Sequence, residues 1–215
     1  MDEKISLNCS LDELLEGGIE KGILTEIYGE GGTGKTNICI QAAKSCIEKG
    51  KKVVYIDTEG ISKERLIQII KDKNKLEKLL FFFPFSLKEQ EEMVEKATKI
   101  DAGLIIVDSI NLFYRLEMED ETMATRSLTK QLVTLQIAAR KRKIPVIVTS
   151  QVYSAGDEVK PFAGRSMDHI AKTIIMITKN GSKNGKEERT ATIVKHRSIP
   201  EGKKIKFYIT PDGIE

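Results

Sequence analysis

The stretch Gly29-Glu30-Gly31-Gly32-Thr33-Gly34-Lys35-Thr36 stands between a strand-like run, Ile23–Tyr28, and a segment in which Ile38, Ala42 and Cys46 recur at helical spacing. It satisfies the phosphate-loop pattern G-x-x-x-x-G-K-[ST] at every required position. Glycines let the backbone curl so that successive amides point inward as an anion nest. The helix that follows adds its positive end, the Lys35 ammonium can reach the β- and γ-phosphates, and the Thr36 hydroxyl suits Mg²⁺. A glycine-rich turn that happens to hold Lys-Thr is the alternative. The order strand, loop, helix argues against it, so Gly29, Glu30, Gly31, Gly32, Thr33, Gly34, Lys35 and Thr36 are read as a nucleotide loop for Mg-ATP.

Outward from that loop the chain alternates short apolar strands with amphipathic helices. Val53–Asp57, Leu79–Phe83, Gly103–Val107 and Pro145–Thr149 read as strands, and 35–49, a segment from Ser62, 86–100 and about 122–142 as helices. Ser10-Leu11-Asp12-Glu13 and Ser86 with Glu89 have the form of capping boxes. Residues 111–122 read as a connection, about fifteen residues after Gln151 as a loop, and Asn180–Gly185 as a turn between antiparallel strands that close with Lys203–Ile209. The expected fold is α/β: a mostly parallel, twisted sheet with helices on both faces and antiparallel strands at the C-terminal end, in one domain over residues 1–215.

The 215 residues suffice for one well-buried domain, and 35 basic against 32 acidic residues leave no global charge that would demand a polyanion. Cys9, Cys39 and Cys46 lack metal-ligand spacing, and their odd number without a signal peptide suggests a reducing, cytoplasmic setting. No apolar run approaches the roughly 20 residues of a membrane span.

Ligands of such sheets bind outside the carboxyl ends of the strands, and polar residues gather there. Leu104-Ile105-Ile106-Val107-Asp108 places a carboxylate where it can hold Mg²⁺ through water, with a helix cap as the alternative. Glu59, one strand over, is suited to polarise an attacking water, or is an exposed turn acid. Gln151 can sense the γ-phosphate by hydrogen bonding, or is an ordinary loop amide.

With these residues in place the sequence resembles the RecA-type recombinases of archaea and eukaryotes, over nearly its whole length. The resemblance rests on Leu11–Thr36, Tyr55–Gly60, Leu104–Ser109, Val146–Gln151 and Arg197–Gly213, and most specifically on Leu14-Leu15-Glu16-Gly17-Gly18-Ile19, Asp57-Thr58-Glu59-Gly60 and Ser150-Gln151-Val152. It implies a RecA-like ATPase core with ATP and Mg²⁺ as cofactors, Glu59 and Lys35 as catalytic residues and Gln151 as the γ-phosphate sensor. It also implies that His169 lies near the end of the second DNA loop. The small size points to a short archaeal paralogue, essentially the bare ATPase core. The core begins within ten residues of Met1, so no separate helix-hairpin-helix domain or assembly strand is expected. That places strand exchange in doubt and fits weak ATP hydrolysis.

The first DNA loop falls at about Tyr114–Thr122. Arg115 matches the family there, but Glu117, Glu119, Asp120 and Glu121 repel phosphates. Lys160, Phe162 and Arg165 in the second loop offer backbone contacts and one stacking surface, or form an ordinary solvated loop. The implied partners are DNA, single-stranded or branched, recombination or repair proteins such as a RadA-like recombinase or a junction nuclease, and a second copy of the chain. The reading is a DNA-binding accessory protein of recombination and repair. A DNA-stimulated recombinase and a KaiC-like regulatory ATPase acting on proteins are the alternatives.

Overall fold

A computed structural model describes residues 3–117, 121–155, 158–161, 164–183 and 186–215. In chain order the elements are β1 (Lys4–Ile5), α1 (Leu11–Leu14), β2 (Ile19–Glu20), β3 (Leu24–Tyr28), α2 (Lys35–Glu48), β4 (Val53–Asp57), α3 (Lys63–Ile70), β5 (Leu79–Phe82) and α4 (Leu87–Ala97). They continue with β6 (Leu104–Asp108), α5 (Leu112–Leu116), α6 (Glu121–Arg142), β7 (Val146–Ser150), β8 (Val152–Ala155), β9 (Glu158–Pro161) and α7 (Gly164–Ile170). The chain ends in β10 (Thr173–Lys183), β11 (Lys186–Lys195), β12 (Lys204–Thr210) and β13 (Gly213–Ile214).

Nine strands form one sheet in the order β13-β12-β11-β10-β3-β7-β6-β4-β5. The six from β10 to β5 are parallel, and β11, β12 and β13 pair antiparallel. This is the α/β architecture the sequence implies. Every residue of β3, β4, β6 and β7 is buried, as a parallel sheet with both faces covered requires. Alternation sends Ile27, Tyr55, Ile106 and Ile147 to one face, against Ile40 and Ile47 of α2 and Ile69 of α3. Leu24, Val54, Val107 and Val148 go to the other, against Val94 of α4 and Leu128, Leu132 and Leu135 of α6. Each such side chain contributes about 1.5–3 kcal/mol on burial. The apolar interior thus leaves the strand ends as the places for polar chemistry. No helix among the described residues is long and apolar enough to cross a membrane.

Local readings differ from the structure in four places. Ser10 adopts helical dihedrals and caps nothing. An N-cap residue needs extended dihedrals to aim its hydroxyl at the following amides, and Ser10 lacks them; the Asp12 carboxylate instead ties the preceding segment, accepting from the Leu7 and Asn8 amides and the Ser6 hydroxyl. Within 111–122, read as a connection, α5 forms a short helix. The segment after Gln151 is not a bare loop but contains the antiparallel pair β8–β9 and α7. Finally, β10 runs on to Lys183 through Asn180-Gly181, where the register shifts, so the first part of the stretch Asn180–Gly185 read as a turn belongs to the strand and holds a bulge.

Among the described residues, one carboxyl of this sheet is buried more deeply than any other. Glu26, in β3, is 1 % exposed and accepts from the Ser150 hydroxyl through one oxygen, while its other oxygen has no partner among the described residues. Burial pushes its carboxyl up to about 7; the Ser150 bond opposes the shift and the charge of Asp168 adds to it. The folded protein therefore keeps this proton to higher pH than the unfolded chain, whose carboxyl ionises near 4.5. The resulting stability is complete below about 4.5 and is lost as pH rises through about 7. Urea denaturation from pH 5 to pH 8 is expected to show a decline of up to about 3 kcal/mol that Glu26→Gln abolishes. An equal decline in the variant would assign it to other groups.

Candidate nucleotide site

Strand β3 delivers the chain to Gly29, where the loop passes so close to β10 that a Cβ would sit 2.4 Å from the Ile177 carbonyl oxygen. Gly34 turns the chain into α2 in the left-handed conformation, at φ 99°, and no side chain caps the helix. Amides at such a helix start lack partners within the helix. Gly31, Gly32, Gly34, Lys35, Thr36 and Glu59 line a cavity of about 230 Å³ above them. An uncapped helix start in a glycine-lined cradle beside a lysine fits the phosphates of a nucleotide.

Lys35 is 7 % exposed and donates to the carbonyls of Gly29 and Glu30, at 2.9 Å each. Burial lowers its pKa, and the carboxylates of Glu59 and Asp108 pull it back up. The lysine thus lies in the field of both acids singled out from the sequence. Asp108 ends β6 with both oxygens engaged, by the Tyr55 hydroxyl from β4 at 2.7 Å and the Thr149 hydroxyl from β7 at 2.5 Å.

Glu59 is exposed, in a turn organised by Asp57. The Asp57 carboxylate accepts from the amides of Glu59, Gly60 and Ile61 at 3.2, 2.9 and 2.7 Å. Glu59 in turn accepts from the Gln151 amide nitrogen at 2.8 Å. The Gln151 side-chain oxygen accepts from the Arg115 guanidinium. Asn111 clamps the Gln151 backbone, donating to its carbonyl at 2.9 Å and accepting from its amide at 3.1 Å. Glu59, Gln151 and Arg115 thus form one continuous chain, and Arg115, which the sequence pointed toward DNA, holds the amide.

Three contributors escaped the sequence reading. Asp57 and Asn111 carried a usable signal: a short acid or amide just past an apolar strand, of the kind that folds back on its own backbone. Arg189 carried none. This buried guanidinium of β11 pairs with Glu187 at 2.5 Å and donates to the Gly32 carbonyl at 3.3 Å, 157 residues away in sequence.

Of the residues read as DNA-binding, Arg115 is the one seen to join this site. His169 is exposed at the end of α7, and its ring makes no hydrogen bond among the described residues. Phe162, Glu119 and Asp120 lie outside the described residues, as do the side chains of Lys160 and Arg165. Glu117 accepts from the Leu87 amide at 3.3 Å, tying α5 to the start of α4.

With this geometry in hand, comparison with known proteins is informative. A family model described as Rad51 matches residues 5–215. The chain belongs to the Rad51 family. It is 44% identical to the DNA repair and recombination protein RadB of Methanococcoides burtonii, over 99% of this chain and 97% of that one. It is likewise 44% identical to that of Thermoplasma volcanium, over 99% and 92%. A solved structure described as the RadB recombinase superposes with a TM-score of 0.84 at 35% identity, covering 98% of each chain.

Thr149→Val removes one of the two hydrogen bonds to the buried Asp108 carboxylate and leaves a charged acceptor short. The expected cost is about 1–3 kcal/mol in urea denaturation. An unchanged midpoint would mean that the Tyr55 bond alone holds the acid.

Proposed function

We propose that this protein is an ATP-binding, DNA-binding accessory factor in recombination and repair, in which the nucleotide acts more as a switch than as fuel. The relatives named above are DNA repair and recombination proteins, which supports the process. The observation that carries the switch is the hydrogen-bonded chain from Glu59 through Gln151 to Arg115. Its two outer members stand on the cradle and on α5, and β8 begins directly after Gln151. A change at Glu59 or Gln151 is therefore felt both in α5 and at the start of the β8–β9 pair.

In this reading the amides of Gly29–Thr36 and the Lys35 ammonium hold the phosphates. Thr36 would hold Mg²⁺, with Asp108 beside it to act through water. Bound Mg²⁺ supplies neutralisation of phosphate charge. Lys35 must first leave its two carbonyl acceptors for the phosphates, which costs little because the exchanged bonds are equivalent or better. Glu59 is the general base for whatever hydrolysis occurs. Its engagement with Gln151 supports weak turnover, since a carboxylate already accepting a hydrogen bond is a poorer base. DNA, a recombinase or nuclease of the same process, and a second copy of this chain are the proposed partners.

Titrating single-stranded DNA with and without Mg-ATP across a salt series is expected to give salt-sensitive binding that ATP alters. In Lys35→Ala the fold persists and the ATP effect disappears. DNA binding absent under every condition would replace this reading with a regulator of proteins, and strong DNA-stimulated turnover would replace it with a recombinase.

Arg115→Ala tests the relay. It is expected to leave Mg-ATP binding intact while the ATP-dependent change in DNA affinity drops by about fivefold or more. Retention of that change would show that Arg115 is not part of the coupling.

A further inference from the structure

The opposite end of the sheet holds a second concentration of chemistry that the nucleotide reading does not use. The adjacent strands β3, β7, β6 and β4 all begin there, and the segments leading into them are tied side by side. The Gly22 amide donates to the Ile144 carbonyl at 2.9 Å, and the Gly103 amide to the Lys52 carbonyl at 2.8 Å. Together they enclose a cavity of about 540 Å³, into which Lys21, Lys49, Lys51, Lys52, Arg142 and Lys143 contribute. Its apolar floor is Ile5, Cys46, Ala102 and Ile144, and its one acid is Asp101.

The basic groups are not equivalent. Arg142 has structural work: it donates to the carbonyls of Thr98 and Ala102 at 3.2 and 3.1 Å and faces Asp101 at 3.6 Å. The ammonium groups of Lys49, Lys51, Lys52 and Lys143, by contrast, make no hydrogen bond or ion pair among the described residues, and these lysines are exposed. Basic residues at a helix C-terminus commonly complement the dipole. That explains the basic last turn of α6, which ends at Arg142, but not three lysines in the four residues between α2 and β4. Four unpaired ammonium groups around one concavity repel one another, and an anion of several charges relieves that repulsion at every lysine at once. The volume lies in the range of ligand pockets. Among the described residues no aromatic side chain lines it, so a base would find no stacking surface there, and phosphate is what the lining can recognise. A five-residue strand spans about 17 Å, so this cavity is separate from the nucleotide cradle at the other strand ends.

We propose that this cavity binds a chain of phosphates, the chemistry shared by a nucleic-acid backbone and a free polyphosphate. The probe is inorganic tripolyphosphate, titrated calorimetrically at low salt into the Lys35→Ala protein, in which the nucleotide loop is disabled. Binding is expected, with an affinity that falls on adding salt. Changing Lys49, Lys51, Lys52 and Lys143 to Gln on that background is expected to weaken it about tenfold or more, and to flatten the salt slope by about one for each lysine engaged. The same four positions changed to Arg should retain it. Should the four-Gln protein fail to fold, Lys143→Gln alone and the four-Arg protein supply the comparison, with partial loss in the first and none in the second. A duplex oligonucleotide titrated into the four-Gln protein with Lys35 intact identifies the source. Weakened duplex binding points to a nucleic-acid backbone, and unchanged duplex binding with lost tripolyphosphate binding points to a free phosphate chain. No tripolyphosphate binding by the Lys35→Ala protein, or equal binding by the Gln and Arg variants, would overturn the proposal.

Discussion

Asp108 is gripped from both sides, by Tyr55 of the strand before it in the sheet and Thr149 of the strand after. Those two bonds register the carboxyl ends of β4, β6 and β7 against one another. The Thr58 hydroxyl adds a second tie, exchanging bonds with the Ser109 amide and carbonyl at 2.8 and 2.9 Å. Everything polar that follows these strands inherits its position from this arrangement: the Glu59 turn after β4, the Asn111 clamp after β6 and Gln151 after β7. A carboxylate 4 % exposed would be costly if left bare, and here both its oxygens are satisfied.

Electrostatics then couples this frame to the phosphate loop. Lys35 is buried enough for its ammonium to be disfavoured, and the fields of Glu59 and Asp108 offset that cost. The two carbonyls it holds, Gly29 and Glu30, keep the side chain along the loop. An anion in the cradle would compete with carbonyl dipoles rather than with a tight carboxylate pair, so the lysine is restrained without being locked. Arg189 stands differently: its guanidinium is spent on Glu187 and the Gly32 carbonyl and braces the outer side of the same loop.

The fold was legible because its decisive signals are local. A phosphate loop, four apolar strands and helical spacing between them allow little besides a doubly covered parallel sheet, and that sheet is present. That Glu59, Asp108 and Gln151 would stand at one end of the sheet was legible for the same reason, each lying at or just past the end of an apolar strand, and Lys35 was marked by the loop pattern itself. What stayed hidden depends on contacts between distant segments. Ser10 looks like a cap until the backbone places it in helical dihedrals, where its hydroxyl cannot reach the amides that follow. Asn180-Gly181 looks like a hairpin turn until pairing of β10 with β11 absorbs it as a bulge. Arg115 looks like a free cation on a DNA loop until α5 brings it to Gln151. Arg189 has no neighbour in sequence that hints at the loop it supports.

The two ends of the sheet treat charge in opposite ways, and this bears on what the nucleotide site is for. At the carboxyl ends nearly every charged or amide group is committed: Asp108 to two hydroxyls, Asp57 to three amides, Gln151 to Glu59 and Arg115. A site so fully interlocked responds to a ligand by exchanging partners, and each exchange passes to the next member of the chain. At the amino ends Lys49, Lys51, Lys52 and Lys143 are uncommitted, and among the described residues the lining carries one acid. Such a surface attracts an anion without requiring any rearrangement. On the proposed reading the interlocked end is the one that changes state, and Gln151 is the point where that change would leave the site, since its backbone is fixed by Asn111 while its side chain bonds both Glu59 and Arg115.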